Sequence, residues 1–592
     1  DLHSFPTRRS SDLEINGDIY GGSKGEPAER YEEAYYANVR NTVININYPN
    51  DVTYSLDNIA GYINLSDNKV TIKDNIPAIH GSVYGGGENG HVLDSTKLII
   101  NNGLIGHGVY GGGKGKDTYS GELIDYSTRN TTQTTYQTQV ASIIAGKVYG
   151  NTNITMNGGY VLRNIYGGGN LASVGKGNYA GGTDDYSLEG YGELPPKDGN
   201  AEGPLWANDD FKNSGICRVT IKGGTVGYYN DAALDLSAFT KDDQPTGNVF
   251  GSCRGMSAPN YNDISPRYLY FPEFFYGYVN QTIVTIGDAK GGPTILGSVY
   301  GGGQDGHVRR SSKVVINNGT IGLDYDNFKD RISESNQFLD RGNVYGAGSG
   351  VGQFSYDTRK PDPNDSESGN IIETGYNYSS GSVTGTTTVE INDGTIYQNV
   401  YGGGALASVG PPNIGADHGL GFDEYQTTAP YDRPAGFSAY NNHLSTSSCN
   451  IVINGGNIGN AVGSAAAYGG NVYGASRGNV GGLNLGPTSF LHATTIWTNV
   501  EAKNGHIFGN VFGGGQMGEV KRDTRVVIGG AETPTSTSTS SPVQGRTARP
   551  QAQPAAQPAG NAQPATGNAQ APTRNAAVEA PQNRSITTRQ AQ

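Results

Sequence analysis

The chain has 592 residues, a net charge of −13, 16% charged and 35% hydrophobic residues, and a mean hydropathy of −0.50. Its 91 glycines and 38 tyrosines stand against three cysteines, three methionines and two tryptophans, a composition suited to a narrow core running along a repeat stack. The 27 prolines follow no Gly-X-Y period, which excludes collagen; the acidic balance argues against nucleic acid as a partner, and no stretch approaches the ~18 apolar residues of a membrane span.

Residues 1–13, "DLHSFPTRRSSDL", match codon for codon the translation of a short-read sequencing adapter and are set aside from fold reasoning. The protein's own beginning then lies upstream of residue 14, so the lack of a leader here carries no information on compartment. From there to residue 532 ten copies of an apolar–aromatic–Gly phrase form an ordered series, beginning with Ile19-Tyr20-Gly21 and ending with Val511-Phe512-Gly513. The residues immediately C-terminal to each phrase sort the copies into four kinds in fixed order.

The first kind is "SVYGGGENGHV" at 82–92, "SVYGGGQDGHV" at 298–308 and a more distant "NVFGGGQMGEV" at 510–520. The second runs into an acidic, Tyr-containing segment ("VYGGGKGKDTYSGE", "VYGAGSGVGQFSYD"). The third reads "IYGGGNLASVG" and "VYGGGALASVG"; the fourth reads "IYGGSKGEP", "VFGSCRGMS" and "VYGASRGNV". Like copies lie 212–235 residues apart, which defines a super-repeat of four units. The predicted organisation is the end of a truncated cycle at 14–82, full cycles at 83–298 and 299–510, and the start of a third at 511–532. Residues 533–592 are a Pro/Ala/Gln/Ser/Thr-rich tail without an aromatic, predicted to be disordered. Its five arginines against Glu579 make it basic, so the repeat region carries more negative charge than the whole chain.

Residues 386–410, "TTTVEINDGTIYQNVYGGGALASVG", show the unit most clearly. "TVEIN" alternates Val389 and Ile391 with polar residues, a period-2 strand with one buried face. "NDG" turns the chain, Ile396 sits on a second short strand, and "NVY" begins a third that the glycines end. The pattern predicts an all-β fold, a right-handed parallel β-helix or β-solenoid array, with stacked β-hairpin sheets as the alternative. Segments 181–216 and 411–445 are predicted insertions.

The "GGG" runs lack phosphate-loop spacing and read as corner glycines. "GGKGKDTYS" at 112–120 fits a Ca²⁺-binding nonapeptide once, with Asp117 as candidate ligand, but without the tandem neighbours that place an ion between turns. Ca²⁺ is thus the one candidate ion and no cofactor is implied; Asp184, Asp185, Asp362, Asp365 and Glu367 read as solvated loop charge. His91 and His307 occupy equivalent places, yet the third copy has Glu519 there, and a surface or ladder role is favoured over catalysis. Cys217 and Cys449 open equivalent segments, while Cys253 is replaced by Ser476, so buried free thiols are expected.

If Val83 points inward, strand alternation turns Tyr84 outward. The same holds for Tyr110, Tyr166, Tyr300, Tyr345, Tyr401 and Tyr473, which form the candidate binding surface for sugar rings or proteins. Phe250 and Phe512 at equivalent positions favour instead a ladder that packs on its own neighbours.

"TTVEINDGTIYQNVYGGG" and "NIVINGGNIG…GNVYGASRG" resemble the repeats of large adhesin-like surface proteins of anaerobic gut bacteria over residues 14–530. The resemblance implies export to the cell surface or medium, and it supplies no catalytic motif. The expected function is that of a non-enzymatic adhesive or spacer surface whose partners are glycans or host and bacterial surface proteins. A β-helix polysaccharide lyase or hydrolase, which would need acids beside the recurring Lys24, Arg254 and Arg477, is one alternative. A purely structural surface-layer element is the other.

Overall fold

Val389 and Ile391 alternate with polar residues along Thr386–Ile391, so one face of that strand is apolar and must be covered. A computed structural model shows what covers it. Described are residues 13–25, 37–49, 52–66, 69–115, 118–122, 137–141, 145–175, 214–229, 246–255, 277–324, 341–350, 353–361, 370–376, 380–410, 447–459, 469–480 and 493–529. The chain divides into two units, Asp1–Glu532 and Thr533–Gln592, and the second lies outside the described residues.

After Ile391 the chain turns through Gly394, whose φ of +100° is open to glycine and costly for other residues. Thr395–Ile396 follows on a second face and Val400–Tyr401 on a third. Each turn repeats this course, and equivalent strands of successive turns pair in parallel. Long strands form a ten-stranded sheet from Thr42–Asn47 to Thr524–Ile528. Short strands form an eight-stranded sheet, and the apolar–aromatic pairs a ten-stranded sheet from Ile19–Tyr20 to Val511–Phe512. A file of single bridges through Val308, Val383 and Val409 closes the turn before the next long strand.

The molecule is therefore a parallel β-solenoid. Within the stack, the long strand, the short strand and the apolar–aromatic strand of one turn lie in three different sheets, which overturns the stacked-hairpin alternative. The reason is the short corner: a two-residue strand cannot fold back on a six-residue one, but it can pair with its own copy a turn away. Antiparallel pairs among the described residues occur off the stack, as in Ile63–Ser66 with Lys69–Ile72. Two more, Thr118–Glu122 with Gln137–Ala141 and Gln353–Pro361 with Asn370–Tyr376, both grow from phrases of the second kind, so the four-unit cycle extends to its decorations.

All three faces feed one core: Val389, Ile391, Ile396 and Val400 are fully buried together, and their equivalents continue the column. Each such side chain contributes about 1.5–3 kcal/mol. A second compartment holds the closing valines with Cys217, Cys253, Cys449 and Ala347. The hairpin segment with Tyr54, Ile59, Ile63 and Ile72 packs outside the short-strand face against Leu104 and Tyr160.

The glycine after each aromatic lets the turns approach. A Cβ on Gly346 would stand 2.1 Å from the carbonyl oxygen of Gly402, one turn along. In phrases of the first kind the tight position is not a glycine: Asn89 and Asp305 adopt φ of +57° and +58°, which these residue types tolerate because their side chains bond locally.

Candidate functional site

Within Val83–Tyr84 the valine enters the central core and the tyrosine the opposite side, as alternation requires. Opposite does not mean exposed. Tyr84, Tyr110, Tyr166, Tyr300, Tyr345, Tyr401 and Tyr473 have relative exposures of 3, 7, 3, 6, 0, 1 and 9%, so the expectation of a surface display is overturned. Neighbouring rings stack with centroids 4.6–5.0 Å apart and planes within 14° from Tyr20 to Phe512. The physical reason is a coincidence of lengths. Parallel strands lie about 4.8 Å apart, close to the separation at which two aromatic rings stack offset. Each ring then covers its neighbour, and no interior face is left for a sugar. Phe512 at the end of the file is 43% exposed.

The ring edges are covered by a polar file that begins four residues after each aromatic. Glu88, Lys114, Asn170, Arg254, Gln304 and Ser349 bridge in parallel from turn to turn. Their side chains reach two turns back. Lys114 Nζ donates to the Tyr20 hydroxyl at 2.9 Å, and the Tyr166 hydroxyl donates to Gln304. Tyr401 donates to Gln516 Oε1 at 2.7 Å. Ser349, the short member, stands two turns past Phe250, which has no hydroxyl to reach. Sequence reasoning missed this file, although the polar residue after each glycine run was its signal.

Burial pushes the Tyr84 phenol up to about 12 and lifts that of Tyr401 well above its ordinary value, Tyr345 adding to the effect. At the first turn burial alone would raise the Asp18 carboxyl. The Ser82 N–H and Lys114, 3.2 Å away, outweigh it and hold the carboxyl below its ordinary value. These contacts tie turns together.

Two further files brace the stack, one within each turn and one between turns. Thr96, Thr152, Thr282 and Thr387 each donate to a glycine carbonyl of their own turn at 2.6 Å. Cys217 and Cys449 fill this file where threonine is absent, free and buried, with their thiols pushed up to about 12 by burial. Two residues before the aromatic, Asn343, Asn399 and Asn471 each accept the next turn's backbone N–H at 2.9–3.1 Å. Cys253 accepts the Gly169 N–H at 3.3 Å and donates to Ala172 O at 3.2 Å. Ser476 makes the equivalent bonds to Gly404 and Ala407 at 3.1 and 2.8 Å.

His91 and His307 are buried, contrary to a surface role. The first meets the Tyr149 ring edge-on at 5.4 Å and the second stacks on Tyr278 at 4.5 Å. Asp305 accepts a hydrogen bond from Ser380 at 2.7 Å. Asp117, with Asp184, Asp185, Asp362, Asp365 and Glu367, lies outside the described residues, as do 181–213 and 411–445 of the predicted insertions. Among the described residues no group of three or more His, Cys, Asp or Glu could hold a metal ion, and no helix is long and apolar enough to cross a membrane. The chain was compared with protein-family models, curated proteins and solved structures, and nothing matches it.

The recurring residues therefore build the stack. What remains open is the outer surface of the long-strand sheet, where alternate side chains such as Lys97, Asn153, Arg218 and Lys313 are exposed or half-exposed.

Proposed function

We propose that the chain is a non-enzymatic spacer and adhesive surface, exported to the cell surface or medium, whose partners are glycans or surface proteins. The observation that carries this reading is the use of recurring polar residues to brace the stack, within turns and between them. Threonine hydroxyls, asparagine amides and tyrosine phenols are tied to backbone or to neighbouring turns, which suits a rod and leaves contact with partners to the outer sheet face. Ten strands at about 4.8 Å give a sheet roughly 43 Å across its strands. A stack of this kind gains length with every added cycle without needing a larger core. The resemblance to adhesin-like surface proteins points the same way.

Immobilised glycans and cell-surface extracts should retain the intact chain, and incubation with polysaccharides should release no shortened or unsaturated products. Depolymerisation in that assay would overturn the non-enzymatic reading, and failure to retain the chain on any surface would leave only the spacer role.

A further inference from the structure

On the outer surface of the long-strand sheet, parallel register places Val43, Lys97, Asn153, Arg218, Ile283 and Lys313 in a single file across six successive turns. A cation recurs at every second turn, with an uncharged residue between. The adjacent file carries Thr155, Thr220 and Thr285 in register, and Lys222 extends the strand of Arg218. Neither file holds a carboxylate over these turns. The first acid on the face is Glu390, in the seventh turn, which sits 3.0 Å from Lys313. On a chain with a net charge of −13, an acid-free strip of this kind concentrates positive potential on one side.

We propose that this strip binds a linear anionic polysaccharide that carries one carboxylate per disaccharide. The proposal rests on the adhesive reading and names its ligand class. Strands about 4.8 Å apart put successive cations of the series Lys97, Arg218 and Lys313 roughly 9.6 Å apart along the stack, close to the disaccharide repeat of an extended, β-linked chain in which hexuronate alternates with a neutral sugar. Each cation then meets a carboxylate of every second sugar. The threonine file lies alongside, where its hydroxyls exchange hydrogen bonds with sugar hydroxyls, and Arg218 and Lys313, one turn to either side, flank the apolar Ile283 with their aliphatic stems. Duplex nucleic acid fits poorly: it presents a charge about every 1.7 Å of axis, far denser than these cations, to a body of like sign.

The test uses the intact chain at low ionic strength with three probes: an alternating hexuronate–N-acetylhexosamine polymer, the same polymer with its carboxyls reduced to alcohols, and duplex DNA. Only the first is expected to bind, and added salt weakens it. Lys97→Gln, Arg218→Gln and Lys313→Gln are each expected to weaken binding about two- to fivefold, and the triple variant at least about tenfold. Glu390→Gln frees Lys313 and strengthens binding by a similarly small factor. These residues face outward, so circular dichroism and thermal midpoint should be unchanged and serve as the folding control.

The proposal is overturned if the triple variant binds as the native chain does, if the carboxyl-reduced polymer binds as well as its parent, or if DNA binds more tightly than the polymer. Retention on a neutral glycan that ignores the triple substitution would sink the strip and leave the adhesive reading standing. Loss of binding to every surface would remove both.

Discussion

The phenol of Tyr401 donates to the side-chain carbonyl of Gln516 at 2.7 Å, across 115 residues of sequence and two turns of the stack. That reach means each turn is held by its second neighbour as well as its first. Losing the hydroxyl alone, in Tyr401→Phe, should lower stability by about 0.5–1.5 kcal/mol, read as a fall in thermal midpoint. Phe250 at the equivalent place shows that the ring without its hydroxyl is tolerated.

Removing a ring is a different matter. Tyr345→Ala takes a fully buried ring from between Tyr300 and Tyr401 and opens a gap in the file. The cost should be about 3–5 kcal/mol, well above that of Tyr345→Phe. Denaturant titration of the two variants decides it: equal midpoints would mean that stacking does not hold the file.

The glycines divide into those that admit a methyl group and those that do not. Gly346→Ala would set Cβ 2.1 Å from Gly402 O and must push two turns apart, at about 1–3 kcal/mol or more. Gly61→Ala, with nothing within 4 Å of the new atom, should stay within about 0.5 kcal/mol of the native chain. Thermal melts of the two variants should therefore separate clearly.

Cys217 stands in the file where Thr96 and Thr152 bond glycine carbonyls of their own turns. Cys217→Thr is expected to supply that bond and raise stability by about 0.5–1.5 kcal/mol. Thr387→Val, which strands the Gly402 carbonyl, should lower it by about 1–3 kcal/mol. Opposite shifts in midpoint for the two substitutions are the outcome to look for.

The buried acids set an alkaline limit. The thiols of Cys217 and Cys449 rise from 9 to about 12 in the fold, and the Tyr84 phenol from 10 to about 12, chiefly through burial. A group whose folded value is raised stabilises the fold fully below its unfolded value and loses that contribution as pH climbs towards the folded one. Stability should therefore hold to about pH 9 and decline between there and about 12. Phenolate absorbance and thiol alkylation of the native chain should both lag behind the same signals in denaturant.

Much of the architecture was legible in the sequence because it rests on local signals. Alternation in "TVEIN", the turn-forming Asn-Asp-Gly and the short "NVY" gave three strands per turn, and recurrence of the phrase favoured parallel stacking over hairpins. The replacement of Cys253 by Ser476 was readable too, but not the pair of bonds that makes the two interchangeable. The candidate site was legible only by direction. Alternation placed Tyr84 and its equivalents away from the central core, yet direction along one strand says nothing of what lies a turn above or below.

The sequence by itself determined the repeat, the strands and their turns, since side-chain alternation and turn chemistry act over a few residues; it left a parallel solenoid and stacked hairpins both open, and pairing between distant segments decided for the solenoid. The tertiary structure alone decided which surface is free. Stacking at about 4.8 Å closes the aromatic file upon itself, joins Tyr401 to Gln516, and brings Lys97, Arg218 and Lys313 into one line from segments 121 and 95 residues apart in the chain. Those relationships depend on register between distant segments, which insertions of unequal length conceal in the linear text.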